Sequence, residues 1–262
     1  MNYDAIVVDR PATHVGRITL NRPEKRNAIS GQLRSELFDA LHRHDDDPEV
    51  RVTIIRGAGP CFSSGYDLGS SLWDDKPAWS ADGDGKWSRH VSEGWFGVWD
   101  LAKPVIAQVH GYALAGGTEL MAACDLAYCA DDTQIGYPVT RIISPPDMQF
   151  HPYFVGIRHA MELLLTGRSI DGAEAARMGL VNRAYPAADL EAEVLGIASE
   201  VARVAPDLQQ INKRSVHRAM DIMGIRAAIR AGSDLQALAG HQRSVQQFTA
   251  NALESMKSTN KE

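Results

Sequence analysis

The chain has 262 residues, 27 Lys and Arg against 33 Asp and Glu, a net charge of −6 and 44% hydrophobic residues. That is ordinary globular composition, enough for one domain with an appendage or two small domains, and it excludes a disordered chain. An acidic chain without a basic tract is a poor partner for nucleic acid or an anionic membrane.

No apolar run approaches the roughly 18 residues of a membrane span, and an acid stands near the N-terminus where a signal peptide needs cations, so the expected location is the cytoplasm. Cys61, Cys124 and Cys129 are odd in number and lack CxxC spacing. They are expected to be buried free thiols, with neither a disulfide framework nor a zinc site.

In chain order, "AIVVD" and "VGRITL" read as two short strands joined by a turn around Pro11. The loop "NRPEKRNAIS" ends at Ser30, a helix N-cap, after which Leu33, Leu37, Phe38 and Leu41 keep helical spacing. The acids of "HRHDDDPE" and Pro48 stop that helix; His42, His44 and the neighbouring aspartates fit no named metal spacing. "VTIIRGAG" is a strand apolar enough to be buried on both faces.

"PCFSSGYDL" then turns toward another helix start, with Asp67 as its expected cap. Residues 69–88, rich in Gly, Ser, Asp and Pro with three tryptophans, read as a long loop that covers a ligand. Val91, Trp95, Val98 and Trp99 sit at helical spacing, the two tryptophans as core. Lys103-Pro104 ends that helix and "VIAQV" is a third buried strand. "GGTELMAACD" reads as a short helix, "LAYCA" and "TQIGYP" as short strands, and "GIRHAMELLLTG" as a helix closed by Gly167. Asp171 and Glu174 have capping-box spacing ahead of "AEAARMG", with Gly179 as the closing residue. From Ala187 on the pattern is helical. Strands and helices in alternation argue for a parallel sheet with crossover helices and a helical appendage.

Two strand-to-helix turns carry the chemistry: "FSSGYDL" and "HGYALAGGTEL". In parallel-sheet folds such turns lie at the carboxyl ends of strands, where ligands bind. A backbone N–H from each can converge on one oxygen and stabilise an enolate or tetrahedral intermediate. Glu119 lies three residues after Gly116, one turn into the helix on the same face, where a carboxylate can exchange protons with whatever those N–H groups hold. There is no GxSxG elbow, Walker loop or Rossmann fingerprint.

"GRITLNRPEKRNAIS", "CFSSGYDL", "KPVIAQVHGYALAGGTELMAACDLAYCA" and "LLLTGRSIDGAEAARMGLVNRAYP" resemble the successive signatures of the enoyl-CoA hydratase/isomerase (crotonase) superfamily, in register from about residue 3 to residue 186. The resemblance implies an α/β fold: a repeated ββα spiral core over 1–190 that carries the acyl-CoA site, and a C-terminal helical trimerisation region over 191–262. It implies an acyl-CoA thioester as substrate, no metal or other cofactor, and a homotrimer or dimer of trimers. Carried over by motif, the oxyanion donors are the N–H groups of Tyr66 and Gly116, and Glu119 is an acid/base. Lys25, Arg26 and Ala28 in the first loop, and Ser63, Ser64, Gly65, Asp67 and Gly117 in the two turns, are expected to bind thioester and CoA.

One departure matters. Family hydratases carry a second glutamate where "IGYPVTR" has Val139, and valine cannot transfer a proton, so hydration by a pair of glutamates is in question. Asp147, eight residues on, stands near a position where relatives such as dienoyl-CoA isomerases place an aspartate, and it is the candidate second group. His151 and Tyr153 either line the acyl pocket or pack. The reaction expected is hydration, dehydration or double-bond isomerisation through a thioester enolate. The alternatives are a non-catalytic acyl-CoA carrier and a CoA-independent β-diketone C–C hydrolase.

Overall fold

The computed structural model describes residues 3–67 and 86–259, with only the helical backbone described at 86–89 and 252–259. The loop expected over 69–88 lies outside the described residues as far as position 85; from Lys86 the chain is helical.

The larger sheet has six strands in the order β1 (Ile6–Ala12), β2 (Val15–Leu20), β3 (Val52–Gly57), β4 (Val105–Val109), β6 (Leu126–Ala130) and β9 (Arg183–Tyr185). β1 is an antiparallel edge; every other pairing is parallel. The expected turn at Pro11 is misplaced. Pro11 stays inside β1, and the chain reverses at Thr13 and His14, the latter at φ +62°. An edge strand whose register slips between Asp9 and Ala12 tolerates a residue without an N–H.

Strands of period two present alternate residues to opposite faces. Val52 and Ile54 of β3 and Ile106 of β4 face α7 (Leu190–Ala202), which buries Leu190, Val194, Ala198 and Ala202 at steps of four. Ile55 of β3 and Val105, Ala107 and Val109 of β4 face the other way, toward α1 (Gly31–Asp46), α2 (Lys86–Asp100) and α3 (Gly116–Ala123). Leu190 and Val194 each contribute about 2 kcal/mol by leaving water.

A second, small sheet joins β5 (Tyr112–Leu114), β7 (Gln134–Gly136) and β8 (Ser169–Ile170). Sequence pattern missed β5, β8 and β9, which hold two or three residues each, too few to show a period. Isolated parallel bridges extend this sheet from Ala113 to Ser63 and from Tyr66 to Ile29. The loop that follows β3 is thereby clamped between the first loop of the chain and the turn into α3.

The expected caps are in place. Ser30 Oγ accepts the Leu33 N–H at 3.2 Å, Asp171 Oδ1 accepts the Glu174 N–H at 2.7 Å, and Gly167 and Gly179 close their helices at φ +61° and +80°. Between them run α4 (His151–Phe154), α5 (Gly156–Thr166) and α6 (Gly172–Met178).

The chain ends in α8 (Pro206–Ile222), α9 (Ile225–Ala239) and α10 (Arg243–Thr259). Asp125 ties α8 to the sheet: its Oδ2 accepts from the Val105 N–H and from Lys213 Nζ, both at 2.8 Å, and His217 Nε2 lies 3.2 Å from Oδ1. Ile225 is buried within the chain, while Ile222 of α8 and Leu235 of α9 are exposed. Ile157, Met161 and Leu165 form a second exposed stripe on α5. No helix among the described residues is long and apolar enough to cross a membrane.

Candidate active site

Asn27 organises the loop after β3. Fully buried, it donates to the carbonyls of Ala58 and Cys61 at 2.8 Å each and accepts the Arg22 N–H at 2.9 Å. Ser63 Oγ donates to the Asn27 carbonyl at 2.9 Å and accepts the Gly65 N–H at 3.2 Å. Gly65 takes φ +100°, which favours glycine, and its carbonyl then accepts the Ile29 N–H at 2.8 Å. In a trans peptide the carbonyl and the following N–H point in opposite directions, so the Tyr66 N–H is turned away from Ile29. The start of α3 packs against this same loop: a Cβ on Gly65 would stand 3.2 Å from the Gly116 nitrogen.

The second turn is held as firmly. The Ala115 N–H donates to the Gly136 carbonyl at 3.0 Å, and Thr118 Oγ1 donates to the carbonyls of Ala113 and Gly136 at 2.7 and 2.9 Å. These bonds keep Ala115 at φ +48°, ψ −119°, a conformation costing about 1–3 kcal/mol for a residue with a Cβ. The N–H groups of Gly116 and Gly117 follow at the helix start, beyond the reach of any carbonyl of the same helix and at the positive end of its dipole. Gly116 must be glycine, because a Cβ there would meet the Tyr66 ring at 2.7 Å.

Glu119 is completely buried one turn further in. Its Oε1 accepts the Met148 N–H at 3.1 Å, and its Oε2 accepts the Tyr66 hydroxyl. That hydroxyl in turn accepts the Trp95 indole N–H at 3.1 Å. The Tyr137 hydroxyl donates to Asp147 Oδ2 at 3.5 Å. Asp147 is 3% exposed. The peptide joining Asp147 to Met148 is gripped at both ends, its N–H by Glu119 and its carbonyl by the hydroxyls of Ser92 at 2.9 Å and Ser233 at 3.3 Å.

Burial pushes the Glu119 carboxyl above its ordinary range, against the pull of the Tyr66 and Met148 donors. Burial, and then the charges of Glu119 and Asp147, raise both Tyr66 and Tyr137 well above the usual phenol value. Both phenols therefore remain protonated hydrogen-bond donors around the acid.

The structure thus brings Tyr66, Gly116, Gly117, Glu119 and Asp147 into one neighbourhood, with Ser63 and Gly65 shaping it. Ser64 donates its N–H to the Arg26 carbonyl at 3.0 Å. Ala28 is half-buried, and Lys25 and Arg26 are exposed on the rim of the first loop. Asp67 Oδ2 accepts from Arg22 at 2.9 Å, and the helix it was expected to cap lies outside the described residues. Val139 is half-buried in a 3₁₀ turn over Pro138–Arg141. Beside that turn opens a cavity of about 260 Å³ between residues 140–145 and the apolar side chains of Ala239, Val245 and Phe248; Glu119 does not line it.

His151 stacks on Phe150 and bonds Gln149, and burial lowers its pKa to about 4. Trp99 packs in the core; Trp95 does too, yet its N–H reaches the site. His44 is buried against Thr53, and no group of three His, Cys, Asp or Glu able to hold a metal occurs among the described residues. Sequence reading missed Tyr137, Ser92, Ser233 and the Tyr66 side chain. Tyr137 had one available signal: it stands two residues before Val139, in the segment already marked for chemistry.

The chain matches the enoyl-CoA hydratase/isomerase family over residues 11–261. It is 36% identical over 226 residues to a probable enoyl-CoA hydratase of Mycobacterium bovis, covering 84% of each chain. It is 35% identical over 217 residues to a carnitinyl-CoA dehydratase of Citrobacter koseri, covering 81% of this chain and 80% of that one. Its fold superposes on a crystal structure of an enoyl-CoA hydratase/isomerase from Xanthobacter autotrophicus with a TM-score of 0.86 at 30% identity, over 97% of this chain and 94% of the other. The sheet, the two glycine turns and the match along nearly the whole chain lead to one assignment: this protein belongs to the enoyl-CoA hydratase/isomerase (crotonase) superfamily.

Proposed function

We propose that this enzyme takes an acyl-CoA thioester, holds its carbonyl oxygen between the Tyr66 and Gly116 N–H groups, and moves protons at the acyl carbons with Glu119 and Asp147. A proton α to a thioester is only weakly acidic, so its removal depends on stabilising the enolate oxygen as charge develops. Losing one oxyanion donor typically costs roughly 100- to 1,000-fold in rate. The observation that carries the reading is the burial of Glu119 one turn behind Gly116, with the Asp147 carboxyl in the same cluster.

Among the reactions of the family, double-bond isomerisation takes support from the pairing of Glu119 with Asp147 to shuttle a proton between acyl carbons; Val139, which offers no proton at the place of the second hydratase glutamate, favours the non-catalytic carrier instead. Lys25 and Arg26, exposed on the loop rim, are assigned to the phosphates of CoA in this reading. The exposed Ile222, Leu235 and α5 stripe favour assembly of the chain into a trimer or dimer of trimers. Light scattering at micromolar concentration is expected to give a multiple of three; a strict monomer removes this part of the reading.

Turnover of a panel of saturated, 2-enoyl, 3-enoyl and dienoyl CoA esters tests the central reading. Conversion between 3-enoyl and 2-enoyl esters is the expected result. Tight binding of every ester without turnover favours a carrier, and hydrolysis of a β-diketone without affinity for CoA favours the hydrolase.

A further inference from the structure

The Glu119 carboxylate is held from behind by one peptide. Its Oε1 accepts the Met148 N–H at 3.1 Å, and the carbonyl of that same peptide, on Asp147, accepts from two hydroxyls. Ser92 of α2 donates to it at 2.9 Å and Ser233 of α9 at 3.3 Å, while the two hydroxyl oxygens stand 2.8 Å apart. Both serines are buried. A buried hydroxyl has lost its water and needs protein partners in exchange, and these two find theirs in each other and in the Asp147 carbonyl.

A hydroxyl has one proton to give. By distance, Ser92 gives its proton to the Asp147 carbonyl and Ser233 gives its own to Ser92 Oγ. The other contacts of Ser233, to the carbonyls of Asp147 and Ile229, are both 3.3 Å, the long end of hydrogen bonding. The bonds then run one way: Ser233 hydroxyl, Ser92 hydroxyl, Asp147 carbonyl, Met148 N–H, Glu119 carboxylate. Bonds in such a run polarise one another, by roughly 10–30% each. Peptide resonance carries the effect across, so a carbonyl pulled on one side makes the N–H on the other a better donor.

The geometry points to Ser92 and Ser233 as positioning residues that, through the Asp147–Met148 peptide, hold the Met148 N–H on the Glu119 carboxylate. Neither serine touches the reacting atoms; they act on the acid/base through its second oxygen, opposite the Tyr66 hydroxyl. Ser233 is kept in place by the packing of α9 on α2. Arg226 pairs with Asp100 at 2.7 Å and Arg230 with Glu93 at 2.6 Å, and Ile225 and Ile229 are buried. Ascending α9 from 226 to 233 is descending α2 from 100 to 92, so the two helices lie antiparallel and Ser233 meets Ser92 in register. A helix near the end of the chain thereby enters the acid/base site through one hydroxyl. The titratable groups described in the same cluster are Tyr66 of the loop after β3, Tyr137 of the turn after β7 and Asp147 before α4, and the two serines bond none of their side chains in this run.

The catalytic use of this hold rests on the function proposed above, but the hold itself is a property of the free enzyme and is tested there. Nuclear magnetic resonance of deuterated protein labelled at the methionine nitrogens, with the Met148 signal assigned by Met148→Leu, follows the amide proton directly. In the ligand-free wild type at mildly alkaline pH the Met148 proton is expected downfield, as in a bond to a carboxylate. Glu119→Gln and Ser92→Ala each move it upfield, and Ser233→Ala does so by less. A Met148 signal left in place by Glu119→Gln, or by both serine substitutions, overturns the proposal.

Steady-state kinetics on the best CoA ester give the second readout. Ser92→Ala is expected to lower kcat by about 10- to 100-fold with KM nearly unchanged, and to move the acid limb of the pH–kcat profile upward, since the ionised Glu119 is left with a poorer donor. Ser233→Ala acts in the same direction and adds little on top of Ser92→Ala, because the outer hydroxyl works through the inner one; independent losses of packing would add. An unchanged kcat and limb, or effects that simply add, would overturn the run of bonds. A wild type inert toward every ester would sink the function proposed above while leaving the Met148 signal to decide the hold on Glu119.

Discussion

The face of the sheet under α7 and the cluster around Glu119 are both buried, yet they are made on opposite principles. Under α7, Val52, Ile54, Ile106, Val194 and Ala198 meet through dispersion and burial alone. Around Glu119, two carboxyls, two phenols, an indole N–H and two serine hydroxyls meet through directed hydrogen bonds drawn from widely separated parts of the chain. The first region is redundant: any one contact is one of many. The second is not, because each buried polar atom there depends on a particular partner.

That contrast separates stability from activity, and substitutions can break it. Glu119→Gln has the largest expected effect, a fall in kcat of about 100- to 10,000-fold by loss of the proposed acid/base. The thermal midpoint should hold or rise, since a buried ionisable group has been neutralised. A collapsed midpoint would show that the cluster holds up the fold as well.

Next in size is the acid limb of stability. His151 titrates near 4 in the folded protein, and His44 does as well, both mainly through burial. The unfolded chain takes up these protons as pH falls below about 6.5, and the native state does so only near 4. Stability is therefore full above about 6.5 and is lost as pH falls from there toward 4, by up to about 3 kcal/mol for His151. Denaturant titrations between these limits should show the slope, and His151→Gln should remove roughly half of it.

Asp147→Asn is expected to lower kcat by about 100-fold while leaving acyl-CoA affinity nearly unchanged, a split that paired kcat and binding measurements resolve. Val194→Ala sharpens the other side of the comparison. It should cost about 2 kcal/mol in chemical denaturation by opening a small cavity under α7, with kcat of the folded enzyme intact.

The same contrast explains what the sequence made legible. Val52 to Ile55, Val105 to Val109 and the stepped residues of α1 announce themselves by period, and Ser30, Asp171, Gly167 and Gly179 announce helix ends by chemistry. Tyr66, Gly116 and Glu119 came from the two glycine turns and their likeness to a family. Tyr137, Ser92 and Ser233 gave no such signal. A tyrosine after a three-residue strand and serines inside amphipathic helices look like packing until the fold sets them against Asp147 and Glu119. Pro11 misled for a related reason: only the sheet order shows that β1 is an edge, where a proline is harmless.

Hydrogen exchange at the acyl carbons tests the central claim most directly. The enzyme is incubated in deuterated water with 2-enoyl and 3-enoyl CoA esters, and deuterium at the α and γ carbons is followed by mass spectrometry. The account predicts rapid incorporation by the wild type, none above background by Glu119→Gln, and unchanged ester affinity in both. Ester binding with no incorporation by the wild type, or incorporation undiminished in Glu119→Gln, would contradict it.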